Sequence, residues 1–130
     1  MLANYVAIPT IPVADLQRAR DFYETVLGLE PEIDGGEGVR YRSGNGQFLV
    51  YHSDYAGTNQ GTAMSFQVPS AEFDGVVTAL RNKGLEFLVF EAEGMTWDNG
   101  VAAFGEERGL WIQDPDGNLL SVETHSTTEK

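Results

Sequence analysis

Two stretches of the chain carry apolar residues at helical spacing. Behind Asp15, residues Leu16, Ala19, Phe22, Tyr23, Val26 and Leu27 recur every three or four positions, the stripe of an amphipathic helix, and Gly28 supplies its stop. Behind Ser70, a candidate cap, Phe73, Val76, Val77 and Leu80 repeat the pattern, and Gly84 closes it. Each helix follows a short run ending in valine, residues 5–13 and 63–68, that reads as a strand. Pro9 and Pro12 weaken the first of these two strand assignments, because proline has no N–H to give a ladder. After the first helix come strand-like runs at residues 30–33, 39–42 and 47–52; after the second, at 86–91, 101–104, 110–113 and 118–125. The breaks between them carry turn chemistry in Gly35-Gly36, Gly44-Asn45-Gly46 and Asp114-Pro115-Asp116-Gly117.

The order strand, helix, meander thus occurs twice. Val13 and Val68, which end the leading strands, are 55 residues apart, and Gly28 and Gly84 are 56 apart. An internal repeat of that kind predicts an α+β fold of two tandem βαβββ modules, each with its helix packed behind a sheet. Residues 1–130 read as a single domain with module one at 1–52, a linker rich in Ser, Gly, Thr and Asn at 53–62, and module two at 63–126.

Composition narrows the function. A chain of 130 residues with 42% hydrophobic positions is long and apolar enough to bury a core unaided. No run approaches the roughly 18 apolar residues of a membrane span, and the start lacks the basic residues of a secretory signal, so a cytoplasmic location is expected. The absence of cysteine removes disulfides, thiolate metal sites and a cysteine nucleophile. A net charge of −12 argues against nucleic acid and anionic membranes as partners. The acids are scattered without a block, which suits solubility; an acidic cleft would also steer a cationic ligand. There is no serine nucleophile elbow, no phosphate-cradling glycine loop followed by lysine, and no helical histidine pair.

Two ordered groups of residues carry a family resemblance. Ile11-Pro12-Val13-Ala14-Asp15-Leu16, Phe22-Tyr23 and Leu27-Gly28-Leu29 resemble the opening of a vicinal oxygen chelate superfamily protein, and residues 111–118, Trp-Ile-Gln-Asp-Pro-Asp-Gly-Asn, are similar to the signature before that family's last strand. The superfamily includes glyoxalase I, bleomycin resistance proteins and extradiol dioxygenases. The resemblance spans nearly the whole chain and implies two βαβββ modules whose sheets curl into a cup-shaped mixed sheet, commonly in a homodimer. In metal-using members the ligands, usually His, Gln or Glu, lie on the first and last strands of the modules. Here those positions fall at or near Ile8, Val50, Ala63 and Ser121, none a good ligand for a divalent cation, so the expectation is no metal cofactor. A shift of one or two residues would substitute His52 or Glu123, with His125 nearby; rim polar residues are the favoured reading of these three.

Strand alternation nominates the lining of the cup. Met64, Phe66 and Val68 suit the helix side, leaving Ala63, Ser65 and Gln67 open; Leu120 and Val122 do the same for Leu119, Ser121 and Glu123. By parity with Val50, Phe48 and His52 join the open side. Trp97 lies in an irregular segment, residues 91–100, with Gly94 and Gly100 as hinges, and serves as a cover for the cup or as a dimer contact. The expected ligand-binding residues are therefore Phe48, His52, Ser65, Gln67, Trp97, Ser121 and Glu123; Trp111 reads as core or interface, and Glu123 is the one candidate general base. The favoured function is a metal-independent small-molecule-binding protein of the bleomycin resistance type, sequestering a drug as a homodimer. The alternative is a glyoxalase-like lyase, isomerase or dioxygenase with a divalent metal displaced to His52, Glu123 and His125. A third option, an interaction module without a small ligand, would fill the cup with its own side chains.

Overall fold

A computed structural model describes residues 1–36 and 38–125. They cluster in two compact units, Met1–Ala63 with Asp114–Asn118, and Met64–Gln113 with the chain from Leu119 onward. The short turn Asp114–Asn118 therefore belongs with the first half, which the module boundaries expected from the repeat did not anticipate.

The first unit opens with a 3-10 turn, Leu2–Asn4, and strand β1, Thr10–Val13. Helix α1 follows over Leu16–Arg20 and continues as a π-helical turn over Asp21–Val26. The Asp15 carboxylate caps it by accepting the Arg18 N–H at 3.1 Å, and Gly28, at φ +76°, takes the left-handed conformation that lets the chain turn away. Strands β2 (Glu30–Gly35), β3 (Gly38–Ser43) and β4 (Gly46–His52) complete a sheet of order β1-β4-β3-β2. β1 runs parallel to β4, and the other pairs are antiparallel. Residues 5–9 lie outside β1, in keeping with the prolines that bracket its start.

One face of this sheet is the core. In register, Ile11 meets Val50, Val50 meets Val39, and Phe48 meets Tyr41. All five are essentially inaccessible, as are Val13, Ala19 and Tyr23. The Tyr23 ring of the helix sits 5.9 Å from Tyr41 and 5.8 Å from Phe48, so aromatic burial locks α1 onto the sheet. The Asp-Pro-Asp-Gly-Asn turn braces the same helix. Asp114 is buried and accepts hydrogen bonds from the Tyr23 hydroxyl and the Asn118 amide, each at 2.8 Å, and from the N–H groups of Asp116 and Asn118. Asp116 accepts the Ala14 N–H at 3.0 Å and pairs with Arg18 at 2.9 Å, while Asn118 donates to the Pro12 carbonyl. The turn that carries the family signature is thus a structural knot around the end of β1 and the start of α1.

The second unit comprises β5 (Thr62–Pro69), a 3-10 turn (Ser70–Glu72), α2 (Phe73–Asn82), β6 (Thr96–Asp98), β7 (Val101–Phe104), β8 (Glu107–Gln113) and β9 (Leu119–His125), in the sheet order β5-β9-β8-β7-β6. Strands β6 to β9 form an antiparallel meander. Leu110 faces Val122 and Ile112 faces Leu120, all buried. Arg108 belongs to the same face by alternation, and its guanidinium lies 4.7 Å over the Phe73 ring and 2.9 Å from Asp74, at the start of α2. That contact identifies the face on which the helix packs.

Three expectations are corrected here. Ser70 opens the 3-10 turn rather than capping α2, whose N-cap is Glu72 with no side-chain bond. Residues 86–91 form no strand; Leu88 donates one backbone bond to Trp111, at 2.9 Å. The strand comes instead at Thr96–Asp98, inside the segment expected to be irregular. Its cause is the two-residue turn Asn99-Gly100, at φ +53° and +83°, both in the left-handed region that an Asn-Gly hairpin turn requires. The first module is accordingly βαβββ, and the second adds the short β6. No helix among the described residues is long and apolar enough to cross a membrane.

Candidate functional site

Each sheet has a second face, turned away from its helix, and the side chains with chemistry to offer gather there. In the second unit the register pairs Gly109 with Glu123, Trp111 with Ser121 and Gln113 with Leu119, all alternating with the residues packed against α2. Trp97 on β6 is opposite Ala102, itself opposite Gly109, so it shares this face. Ser121 is fully buried and donates its hydroxyl proton to Glu123 Oε2 at 3.0 Å. Gly109 keeps the space beside them open, since a Cβ there would lie 3.3 Å from both Glu123 Cγ and the Phe104 ring.

Three aromatic rings form the surface next to this pair. Phe90 stands edge-on to Trp97 at 5.3 Å and to Trp111 at 4.9 Å, and the two indoles are 6.0 Å apart. A cavity of about 750 Å³ opens over Phe90 and Trp97, lined also by Val89, Glu91, Ala92, Glu93 and Met95. Phe90 and Val89 remain 41% and 61% exposed, so the apolar wall is available to a ligand. An apolar aromatic wall with two carboxylates at its edge suits a flat organic molecule carrying positive charge.

In the first unit, Gly38 and Arg40 of β3, Leu49 and Tyr51 of β4, and Ile33 of β2 share the open face. With Gly35 and His52 they line a groove of about 320 Å³. At its end Glu32 is held by Gln47 and Arg42, and these contacts, the Gln47 hydrogen bond first, keep its carboxyl below the usual glutamate range.

The structure thus brings Trp97, Ser121 and Glu123 onto one face. Ser65 and Gln67 are exposed on β5, which neighbours β9, and are joined by a 2.7 Å bond. His52 is exposed at the rim of the first groove. Phe48 is a correction: only 2% exposed and 5.6 Å from the Tyr41 ring, it lies on the helix side with Val50. A slip of one residue in the parity of β4 exchanges its two faces, so the open positions are Leu49 and Tyr51. Trp97 sits on a strand rather than in a loop, and Trp111, 93% buried, belongs to the aromatic cluster. Arg40 and Phe90 are further site residues; the alternation Val39-Arg40-Tyr41-Arg42, apolar and basic by turns, is the sequence signal for the first.

The four positions nominated from the family resemblance offer no donor set for a divalent cation. Ile8 and Ala63 are apolar and half-buried, Val50 is in the core, and the Ser121 hydroxyl is committed to Glu123. Among the described residues no three His, Asp or Glu side chains converge to hold an ion. The side chain of His125 lies outside the described residues.

The fold has many solved counterparts. A glyoxalase/bleomycin resistance protein/dioxygenase from Alicyclobacillus acidocaldarius is 20% identical, with 94% of this chain and 92% of that one covered and a TM-score of 0.72. The fosfomycin resistance protein FosX from Mesorhizobium loti is 17% identical over 96% and 95% of the two chains, with a TM-score of 0.67. FosX from Listeria monocytogenes, crystallised with Mn(II) and sulfate, is 16% identical over 95% and 91%, with a TM-score of 0.70. No curated protein matches the chain in sequence. At these identities the likeness establishes the fold, and it agrees with the two modules described above. Residues 3–122 match the family model of the same name, and the chain belongs to the Glyoxalase/Bleomycin resistance protein/Dioxygenase superfamily.

Proposed function

We propose that this protein binds a small organic molecule without the help of a metal, in the manner of a drug-sequestering bleomycin resistance protein, and acts as a homodimer. The observation that carries the reading is the aromatic wall of Trp97 and Phe90, backed by the buried Trp111, open to a cavity and edged by Glu91 and Glu93. Flat cations gain both stacking on the rings and charge attraction from the carboxylates. The chain's net charge of −12 draws such a ligand in from a distance. The donor set supports the same reading, because among the described residues no three His, Asp or Glu side chains converge to hold a metal ion. Exposed apolar side chains at Met1, Leu2, Tyr5 and Val6 supply surface for a second copy.

Tryptophan fluorescence tests the reading directly, because Trp97 lines the cavity and Trp111 touches both Trp97 and Phe90. Titration with bleomycin or with the planar cation proflavine is expected to quench emission saturably, and equally with and without EDTA. Trp97→Ala is expected to weaken binding about tenfold, the worth of one good stacking contact. Absence of quenching by either compound would sink the proposal. So would stoichiometric Zn, Ni, Mn or Fe in the purified protein together with loss of binding in EDTA, which would point to a metal-dependent enzyme.

A further inference from the structure

We infer that the groove on the open face of the first sheet is a second ligand site, in which Arg40 receives the carboxylate or phosphonate of a small molecule with an apolar body. The inference starts from how the chain's few cations are spent. Of six arginines, Arg18 pairs with Asp116, Arg20 with Glu24 and Asp34, Arg42 with Glu32, and Arg108 with Asp74. Arg81 donates to the Asn99 carbonyl and covers the Phe87 ring at 4.7 Å. Arg40 alone has no partner of any kind among the described residues, in a chain where acids outnumber bases 20 to 8. The local arrangement keeps it so. Glu32, which interrupts the register between Pro31 and Ile33 on the neighbouring strand, is occupied by Arg42 and Gln47 instead.

The Arg40 guanidinium, without a side-chain partner among the described residues, also lines a cavity rather than open surface. The groove of about 320 Å³ has apolar walls in Ile33 and Leu49 and polar hydrogen-bonding groups in Tyr51 and His52. Its floor is kept clear by Gly38, where a Cβ would stand 3.1 Å from Leu49 Cδ1 and 3.5 Å from Tyr51 Cβ. A guanidinium offers two parallel N–H donors that match the two oxygens of a carboxylate or phosphonate, and such charge-assisted pairs are about twice as strong as neutral ones. Tyr51 and His52, which line the same groove, carry groups able to donate further hydrogen bonds, and the walls take the apolar remainder. This site lies within the first unit, whereas both tryptophans lie in the second.

The test is an NMR titration of the 15N-labelled protein with benzoate and with phenylphosphonate, using benzamide as the neutral isostere of benzoate. Saturable shifts are expected at the amides of β2 to β4 and at the Arg40 Nε–H, with tryptophan fluorescence unchanged and no response to benzamide. Arg40→Gln is expected to weaken binding at least tenfold while leaving the rest of the spectrum in place, and Arg40→Lys to lose less. Ile33→Glu, which sets a carboxylate at the rim of the groove, is expected to abolish binding. The inference falls if neither anion gives saturable shifts up to about 20 mM, the weak end of single-site binding. It falls equally if benzamide binds as well as benzoate, or if either Arg40→Gln or Ile33→Glu binds like the unaltered protein. None of these results bears on proflavine quenching, which stands or falls alone.

Discussion

Tyr23 shows how one side chain links sequence, packing and stability. Its ring fills the space between Tyr41 and Phe48, and its hydroxyl donates to the buried Asp114 carboxylate at 2.8 Å. Tyr23→Phe keeps the ring and removes the donor, leaving a buried charge short of one hydrogen bond. A loss of about 1–3 kcal/mol in urea unfolding is expected. Ionisation gives a second test. Burial first, and then the charge of Asp114, raise the Tyr23 phenol above its ordinary range; burial and then Glu24 do the same for Tyr41. Both phenols therefore keep their protons in the folded state when the unfolded chain has begun to lose them. The unfolded state binds fewer protons there, so stability is fully present below about pH 10 and falls as pH rises beyond it, by about 1.4 kcal/mol per pH unit for each tyrosine. Unfolding midpoints measured between about pH 9 and about pH 11, roughly one unit either side of a free tyrosine, should show that decline, and Tyr23→Phe should show roughly half of it.

At the scale of elements, the hairpin of β6 and β7 decides where Trp97 stands. Asn99 and Gly100 both occupy left-handed conformations, and a Cβ at Gly100 would lie 3.2 Å from Phe87 Cβ. Gly100→Ala is therefore expected to cost about 1–2 kcal/mol in strain alone and to weaken proflavine quenching, because the strand that holds Trp97 is displaced. Unaltered stability and quenching would show that the turn does not position the indole. The same hairpin marks the limits of reading the chain. Helical stripes at Leu16 to Leu27 and Phe73 to Leu80 placed both helices, since burial on one side of a helix leaves an unmistakable period. Strands are less forgiving. The Asn-Gly pair at 99–100 was a hairpin signal hidden in a polar segment, and residues 86–91, apolar enough for a strand, make only a stray ladder bond. Phe48 was misplaced because strand faces alternate every residue, so that taking Val50 as an open position inverted all of β4. The common face of Ser121 and Glu123 was legible because β9 has strongly apolar neighbours at Leu120 and Val122 to set the parity. Arg40 was not, because its importance lies in which acids are already taken, and pairing is a property of the folded sheet.

At the scale of the whole molecule, the net charge of −12 acts on every approaching ligand, whatever face it will meet. It favours cations and opposes anions, so the two sites should respond to salt with opposite sign. At about 10 mM ionic strength the field reaches roughly 30 Å into solution, and at 150 mM only about 8 Å. Proflavine, bound at the aromatic wall, should associate several-fold more slowly at the higher salt in stopped-flow fluorescence, with little change in its dissociation rate, since screening acts on the encounter and not on stacked rings. Benzoate must reach Arg40 against the same field, and its affinity should hold or rise over that interval as the repulsion is screened, until salt begins to compete for the guanidinium itself. Parallel salt dependence for the two compounds would mean that local pairing outweighs the overall charge at both sites. An opposite response would instead show a protein whose surface repels the very anion that one of its grooves is built to accept, so that only a ligand with an apolar body, able to add wall contacts to the charge pair, is retained there.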